Sequence, residues 1–295
     1  MSFSKVAVVG AGVMGQGIAQ TVASMGTEVQ LFDVNEDQLK VSLKSLSDEM
    51  DHEIERWGMT SSEKKAILSR IRASSHLDEI CGAPLVIEAI PEDIAIKKEL
   101  FARLDAFCPQ ETIFVTNTST LSITEIGAAT KRPDRVIGLH FLNPVPKIPL
   151  VEIVKGLRTS DDTYNKIQDF ARSLGKTPVK VFEYPGYVTT RIIVPLLNEA
   201  MHVLMEGVAT ATDIDNAIKL GYGFNIGPLA LADKMGLDVV MDWMENLLNE
   251  LSDHKYNPCP LLRKMVRAGN LGVKTGQGFF KYDGEGNKIT EEQER

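Results

Sequence analysis

Three cysteines in 295 residues, Cys81, Cys108 and Cys259, are too few and too scattered for a disulfide framework. No C-x-x-C pair is present, which leaves no basis for a zinc site, and reduced thiols in a cytoplasm are the expectation. Basic charge is not in excess. A formal net charge of -8 gives non-specific nucleic-acid binding no footing, although a local basic pocket for an anionic cofactor remains compatible with it. No apolar run approaches the length of a membrane span. The opening MSFSKVAVVG enters a strand at once, so no signal or transit peptide is expected. Histidine is also sparse. His52, His76, His140, His202 and His254 are the whole supply of imidazoles for acid–base work.

What is present is organised around Lys5 to Asp33. Val6 to Val9 form an apolar run suited to a strand buried on both faces. Gly10, Gly12 and Gly15 follow as G-x-G-x-x-G. The first glycine permits a tight turn, the second lets backbone approach a pyrophosphate, and the third lets a helix lie close to the strand. A helix from Val13 through Met14 to Met25 would aim its free N–H groups at that phosphate, and Gly26 stops it. The next strand ends at Asp33. A carboxylate there accepts hydrogen bonds from a ribose diol and repels a 2′-phosphate, and Val34, Asn35 and Glu36 bring no cation to offset that. NAD is therefore expected over NADP, with FAD as the other competitor. The glycines alone are a weak signal. Strand, helix and an acid at about a 20-residue spacing make it a strong one.

Further apolar strands follow, LVIEAI, TIFVTNTS and VIGLHF, separated by helical stretches. They imply an α/β fold, a doubly wound and mostly parallel Rossmann sheet. Residues 36–72 read as a polar helical hairpin broken near Gly58, with a cap-like Ser and Glu in SSEKKAILSRI. The polar strand end at Asn117 to Thr120 lies where a ligand crevice is expected. At His140-Phe141-Leu142-Asn143-Pro144 the pattern changes. The proline-rich link to LVEIV has no room for a crossover helix, so an antiparallel strand at the sheet edge is expected. From Gly186 the chain reads as helical. The boundary is placed near Tyr184-Pro185-Gly186, dividing a nucleotide-binding domain, 1–185, from an all-α domain, 186–295. Apolar stretches in the second part suggest a homodimer, although an intramolecular core explains much of them.

Only His140 stands at the end of an apolar strand and the start of a polar turn. A neutral imidazole there can take a proton from a hydroxyl. Glu152, inside LVEIV, is its natural partner, since a carboxylate belongs in such a strand only when paired or hydrogen-bonded. Taken singly, His140 could be a core histidine on a backbone carbonyl, and Glu152 an outward residue of an edge strand. Together, beside a dinucleotide site, they suit hydride-transfer chemistry.

The set GAGVMGQGIAQ, VIEAIPED, TNTSTLSIT, GLHFLNPVPKIPLVEIV, GPLALAD and KTGQGFF resembles the short-chain (S)-3-hydroxyacyl-CoA dehydrogenases over nearly the whole chain. The resemblance implies an acyl-CoA substrate, NAD, His140 as base and Glu152 as its partner. It makes Ser119 similar to the serine that binds the substrate oxygen. It assigns Glu92, Lys97 and Asn143 to the nicotinamide half of NAD, and Lys274 to another cofactor contact. It also assigns the helical hairpin to coenzyme A, which favours reading Lys44 or Arg56 as a basic contact for an anionic tail over reading the hairpin as a solvated cover of the sheet. Two positions depart from the family pattern. Thr190 stands where an asparagine helps hold substrate, and a hydroxyl lacks the amide's second polar atom. Lys147 replaces an apolar residue. It reads as solvated, or as a contact for an anionic end of the substrate. Two rival functions stay open: a dehydrogenase of a free 3-hydroxy acid or sugar acid, and an NAD-binding sensing module without turnover.

Overall fold

The computed structural model describes residues 3–289. The charged C-terminal stretch TEEQER, expected from its composition to be solvated, lies outside them. The chain divides into two compact units, one ending at Tyr187 and the other beginning at Val188.

The first unit holds an eight-stranded sheet: β1 (Lys5–Val9), β2 (Glu28–Phe32), β3 (Ile71–Ser74), β4 (Leu85–Glu88), β5 (Ile113–Thr116), β6 (Val136–Phe141), β7 (Leu150–Lys155) and β8 (Thr177–Phe182). Their order across the sheet is β3-β2-β1-β4-β5-β6-β7-β8. Strands β1 to β6 pair in parallel, as the doubly wound pattern requires. The reversal falls between β6 and β7, and β8 then pairs in parallel with β7. The antiparallel strand was expected at the edge, but β8 covers it.

Burial alternates along the strands. Val6 and Val8 join one apolar cluster and Ala7 and Val9 the other, so a single apolar run feeds both faces of the sheet. One face is covered by α1 (Val13–Ser24), α2 (Glu36–Glu55), α3 (Ser61–Arg70) and, further along the sheet, α6 (Asp161–Ser173). The other is covered by α4 (Ile94–Phe107) and α5 (Ile123–Ala128).

Two local expectations need correction. The helical stretch was carried through Arg72, yet Ile71 to Ser74 leave α3 and pair with β2 at the sheet edge. This strand buries only Ile71 fully, so it has no apolar run to announce it. The cap of α3 is Thr60 rather than a serine: its hydroxyl accepts from Glu63 N–H while the Glu63 carboxylate accepts from Thr60 N–H.

The second unit is helical: α7 (Thr189–Met205), α8 (Ala211–Tyr222), α9 (Pro228–Met235), α10 (Leu237–Leu251) and α11 (Pro260–Arg267) around their own apolar core. Helix α7 runs on through Pro195. Among the described residues no helix is long and apolar enough to cross a membrane.

Candidate active site

The turn after β1 gives each glycine a distinct task. Gly10 has φ +100°, and a Cβ there would stand 2.6 Å from the Ala89 carbonyl oxygen. A Cβ on Gly15 would stand 1.8 Å from the Gly10 carbonyl oxygen, so this glycine lets α1 close onto the strand. A Cβ on Gly12 would meet nothing within 4 Å. The space above Gly12 belongs to a cavity of about 680 Å³, lined by Gly10, Val13, Met14, Asp33, Ile90 and Leu100 among others. Gly12 is the N-cap of α1 and offers no side chain, leaving the first-turn N–H groups for an outside acceptor. Asp33 is held by the same loop: one carboxylate oxygen accepts from Ala11 N–H at 2.9 Å and the other from Asn35 N–H at 3.0 Å. Small residues, free N–H groups and a fixed carboxylate in one cavity fit a dinucleotide.

At the reversal, His140 and Glu152 are directly opposed in the antiparallel register of β6 and β7. Opposed residues share a sheet face, which brings their side chains together. His140 Nδ1 lies 2.7 Å from Glu152 Oε2, with both residues buried. The imidazole donating through Nδ1 leaves the Nε2 lone pair as its base. Tyr187, the last residue of this unit, sets its ring against the imidazole, centroids 5.8 Å apart.

A second polar cluster stands beside the pair. Glu92 Oε1 accepts from the backbone N–H groups of Ser119 at 3.0 Å and Thr120 at 3.2 Å, and from the hydroxyls of Thr118, Ser119 and Thr120. Burial works to raise the Glu92 pKa, but the Lys97 charge and these donors outweigh it and hold the carboxyl below its usual range. Lys97 is fully buried on α4. Its ammonium lies 2.5 Å from Glu88, 3.4 Å from Glu92 and 3.2 Å from the Ile90 carbonyl oxygen. Glu88 is equally buried and also accepts from the Thr116 hydroxyl and Ile90 N–H; burial pushes its pKa up against the pull of Lys97. Asn117 accepts from Phe141 N–H at 2.9 Å, tying the end of β5 to the end of β6.

Residues 5–184 match the NAD-binding domain of 3-hydroxyacyl-CoA dehydrogenase, and residues 186–282 match its C-terminal domain. The chain belongs to the 3-hydroxyacyl-CoA dehydrogenase family. It is 47% identical over 283 residues to a probable 3-hydroxybutyryl-CoA dehydrogenase of Bacillus subtilis, covering 96% of this chain and 99% of that one. It is 41% identical over 288 residues to the human mitochondrial hydroxyacyl-coenzyme A dehydrogenase, covering 94% and 90%. Among solved structures, the (S)-3-hydroxybutyryl-CoA dehydrogenase PaaH1 of Ralstonia eutropha superposes with a TM-score of 0.87 at 41% identity, covering 96% and 100%.

Of the residues that resemblance to the 3-hydroxyacyl-CoA dehydrogenases singles out, His140, Glu152, Ser119, Glu92, Lys97 and Asn143 all belong to the first unit, as does Asn117, which was read from its place at a strand end. Ser119 is buried beside Glu92, and Asn143 is exposed in the turn after β6. Lys97 is turned inward, so its influence on a ligand passes through Glu92. Thr190 lies in the first turn of α7, and Lys274 pairs with Asp238 at 2.5 Å; both belong to the second unit. Lys44, on α2, and Arg56, its C-terminal cap, are exposed. Lys147 is 58% exposed, in keeping with its reading as solvated, and it pairs at the surface with Glu53 of α2 at 2.6 Å. Sequence reasoning missed Glu88 and Tyr187. Glu88 carried the same signal as Glu152, a carboxylate inside an apolar strand. Tyr187 carried none.

Proposed function

We infer that this chain oxidises (S)-3-hydroxyacyl-CoA to 3-oxoacyl-CoA with NAD, or runs the reverse reduction. The observation that carries the reading is the buried His140–Glu152 pair, held in register across β6 and β7 within a dehydrogenase family whose N-terminal domain binds NAD. His140 Nε2 takes the proton of the 3-hydroxyl. Glu152 orients the ring through Nδ1 and stabilises the imidazolium that forms. Ser119, on the loop that Glu92 anchors through backbone N–H groups, turns its hydroxyl proton from Glu92 to the substrate oxygen. Gly12, Val13, Met14 and Asp33 hold the dinucleotide, with Glu92, Asn117 and Asn143 toward its nicotinamide end. Bound NAD supplies the acceptor for the hydride leaving C3. Lys44 and Arg56 are free to meet the anionic coenzyme A tail.

That domain, 186–295, is proposed to form a homodimer. Ile192, Val208, Leu220 and Tyr222 are each more than half exposed on it, and apolar surface of that kind marks an association site. The three free cysteines suit a reducing compartment, and the cytoplasm is assigned on that ground.

The test is NADH consumption with acetoacetyl-CoA, longer 3-oxoacyl-CoA esters and free acetoacetate. Turnover on the thioesters alone is expected. Turnover on the free acid alone would replace the thioester reading, and tight NAD binding without turnover on any of them would make the chain a binding module.

A further inference from the structure

Tyr187 occupies a place that neither the glycine motif nor the His140–Glu152 pair requires. It follows β8 in the turn Tyr184-Pro185-Gly186-Tyr187, closed by Tyr187 N–H donating to the Tyr184 carbonyl at 3.0 Å. Its φ is +50°, a left-handed conformation that bulky residues rarely adopt. The residue before it, Gly186, has φ +79°. Two left-handed residues in a row fold the tyrosine back over the C-terminal ends of the strands. Its side chain is 4% exposed. At one end its ring lies against the His140 imidazole, 5.8 Å between centroids with the planes 59° apart. At the other its hydroxyl donates to the Leu121 carbonyl at 3.1 Å and meets the Thr118 hydroxyl. Residues 118–121 form the loop that carries Ser119 and is anchored on Glu92. One side chain therefore touches both the base and the loop of the group that would bind the substrate oxygen. Backbone strain of this kind persists where the surroundings over-determine it, and such residues cluster at active sites.

We propose that Tyr187 is a positioning residue: its ring fixes the His140 imidazole from the side that Glu152 does not hold, and its hydroxyl sets the Ser119 loop at a constant distance from that base. The proposal rests on His140 as the base. Glu152 holds the ring at Nδ1, and the tyrosine ring, 5.8 Å away between centroids, gives it a second point of support. The hydroxyl stays protonated for this task. Burial, and then the charges of Glu92, Glu183 and Glu152, push its pKa well above the ordinary value, so it keeps the proton it donates to Leu121.

The experiment measures kcat, the KM for NADH and thermal unfolding for Tyr187→Phe and Tyr187→Leu, each alone and in a His140→Gln background. A misplacement of about 1 Å costs on the order of a hundredfold in rate, which is the kcat loss expected of Tyr187→Leu, while the KM for NADH stays within about threefold. Tyr187→Phe should recover all but a factor of roughly two to ten, the value of one hydrogen bond. In the His140→Gln background Tyr187→Leu should lower the residual rate only by the factor of roughly two to ten that belongs to the hydroxyl and the Ser119 loop, because the part that passes through His140 is already lost. Should Tyr187→Leu fail to fold, Tyr187→Met takes its place under the same thresholds. A Leu or Met variant with wild-type kcat overturns the proposal. So does an equal proportional loss in both backgrounds, or a Phe variant no better than Leu. A His140→Gln enzyme with an undiminished rate overturns the base assignment, and this proposal with it, whereas a slow His140→Gln beside an unaffected Tyr187→Leu removes only Tyr187.

Discussion

The glycines of the first turn offer a test in which fold and ligand respond in opposite ways. Gly12 has φ −69°, which alanine adopts without strain, and its Cβ would point into open space. Gly12→Ala loses a little as an N-cap but gains from a less flexible unfolded chain, by about 0.4–1 kcal/mol, so its stability should stay near that of the wild type. Its methyl group would instead stand where a pyrophosphate must approach the backbone. Loss of even one charge-assisted hydrogen bond, roughly 1.5–3 kcal/mol, raises the Kd for NADH by about ten- to a hundredfold. Gly15→Ala differs because its Cβ would lie 1.8 Å from the Gly10 carbonyl oxygen, which neither backbone can tolerate. Helix α1 has to move off β1, at a cost of about 3 kcal/mol or more. For a domain of this size that lowers Tm by roughly 6–12 °C. Scanning calorimetry without ligand and NADH fluorescence titration measure the two effects separately. A Gly12→Ala protein that binds NADH as tightly as the wild type would refute the placement of the dinucleotide, and a Gly15→Ala protein with wild-type Tm would refute the packing argument.

Three further outcomes are expected. Glu152→Gln removes the charge that favours the imidazolium and can present an N–H to Nδ1. The analogous change in a Ser-His-Asp triad costs about 10⁴-fold, so kcat should fall by at least about a hundredfold in steady-state assays while the NADH Kd holds. Lys97→Met leaves the buried Glu88 and the part-exposed Glu92 without their cation, a loss of about 3–5 kcal/mol seen as a lower Tm, of which Glu88→Met added to it should restore a large part. In the helical unit Asp233 is buried against Phe279 N–H, Phe280 N–H and the Tyr282 hydroxyl, and burial raises its pKa from 3.8 to about 6. The folded form then binds the extra proton between those values, so this contribution to stability is full below about pH 4 and is lost as the pH rises through 6, by up to about 3 kcal/mol. Urea unfolding between pH 4 and 7 should show that slope in the wild type, and Asp233→Asn should lack it.

How much could be read before the fold was in view depends on the range of each constraint. The glycine turn was legible because its demands are local: a positive φ at Gly10 and a contact between neighbours at Gly15. The His140–Glu152 pair was legible because a short link between two apolar strands forces a reversal, and a reversal puts residues face to face. Strand β3 was not legible, since an edge strand of four residues with one fully buried side chain leaves no periodic trace. The partner of Lys147, and Tyr187 altogether, escaped for a different reason. Each contact joins residues far apart along the chain, Lys147 to Glu53 and Tyr187 to His140, and no spacing rule connects them. Lys97 shows what resemblance adds and where physics must take over. The resemblance assigns Lys97 to the nicotinamide half of the proposed cofactor site. Its burial between Glu88 and Glu92 says how it can serve there: a cation with no path to solvent acts by keeping Glu92 ionised, and Glu92 in turn holds the loop of Ser119 in place.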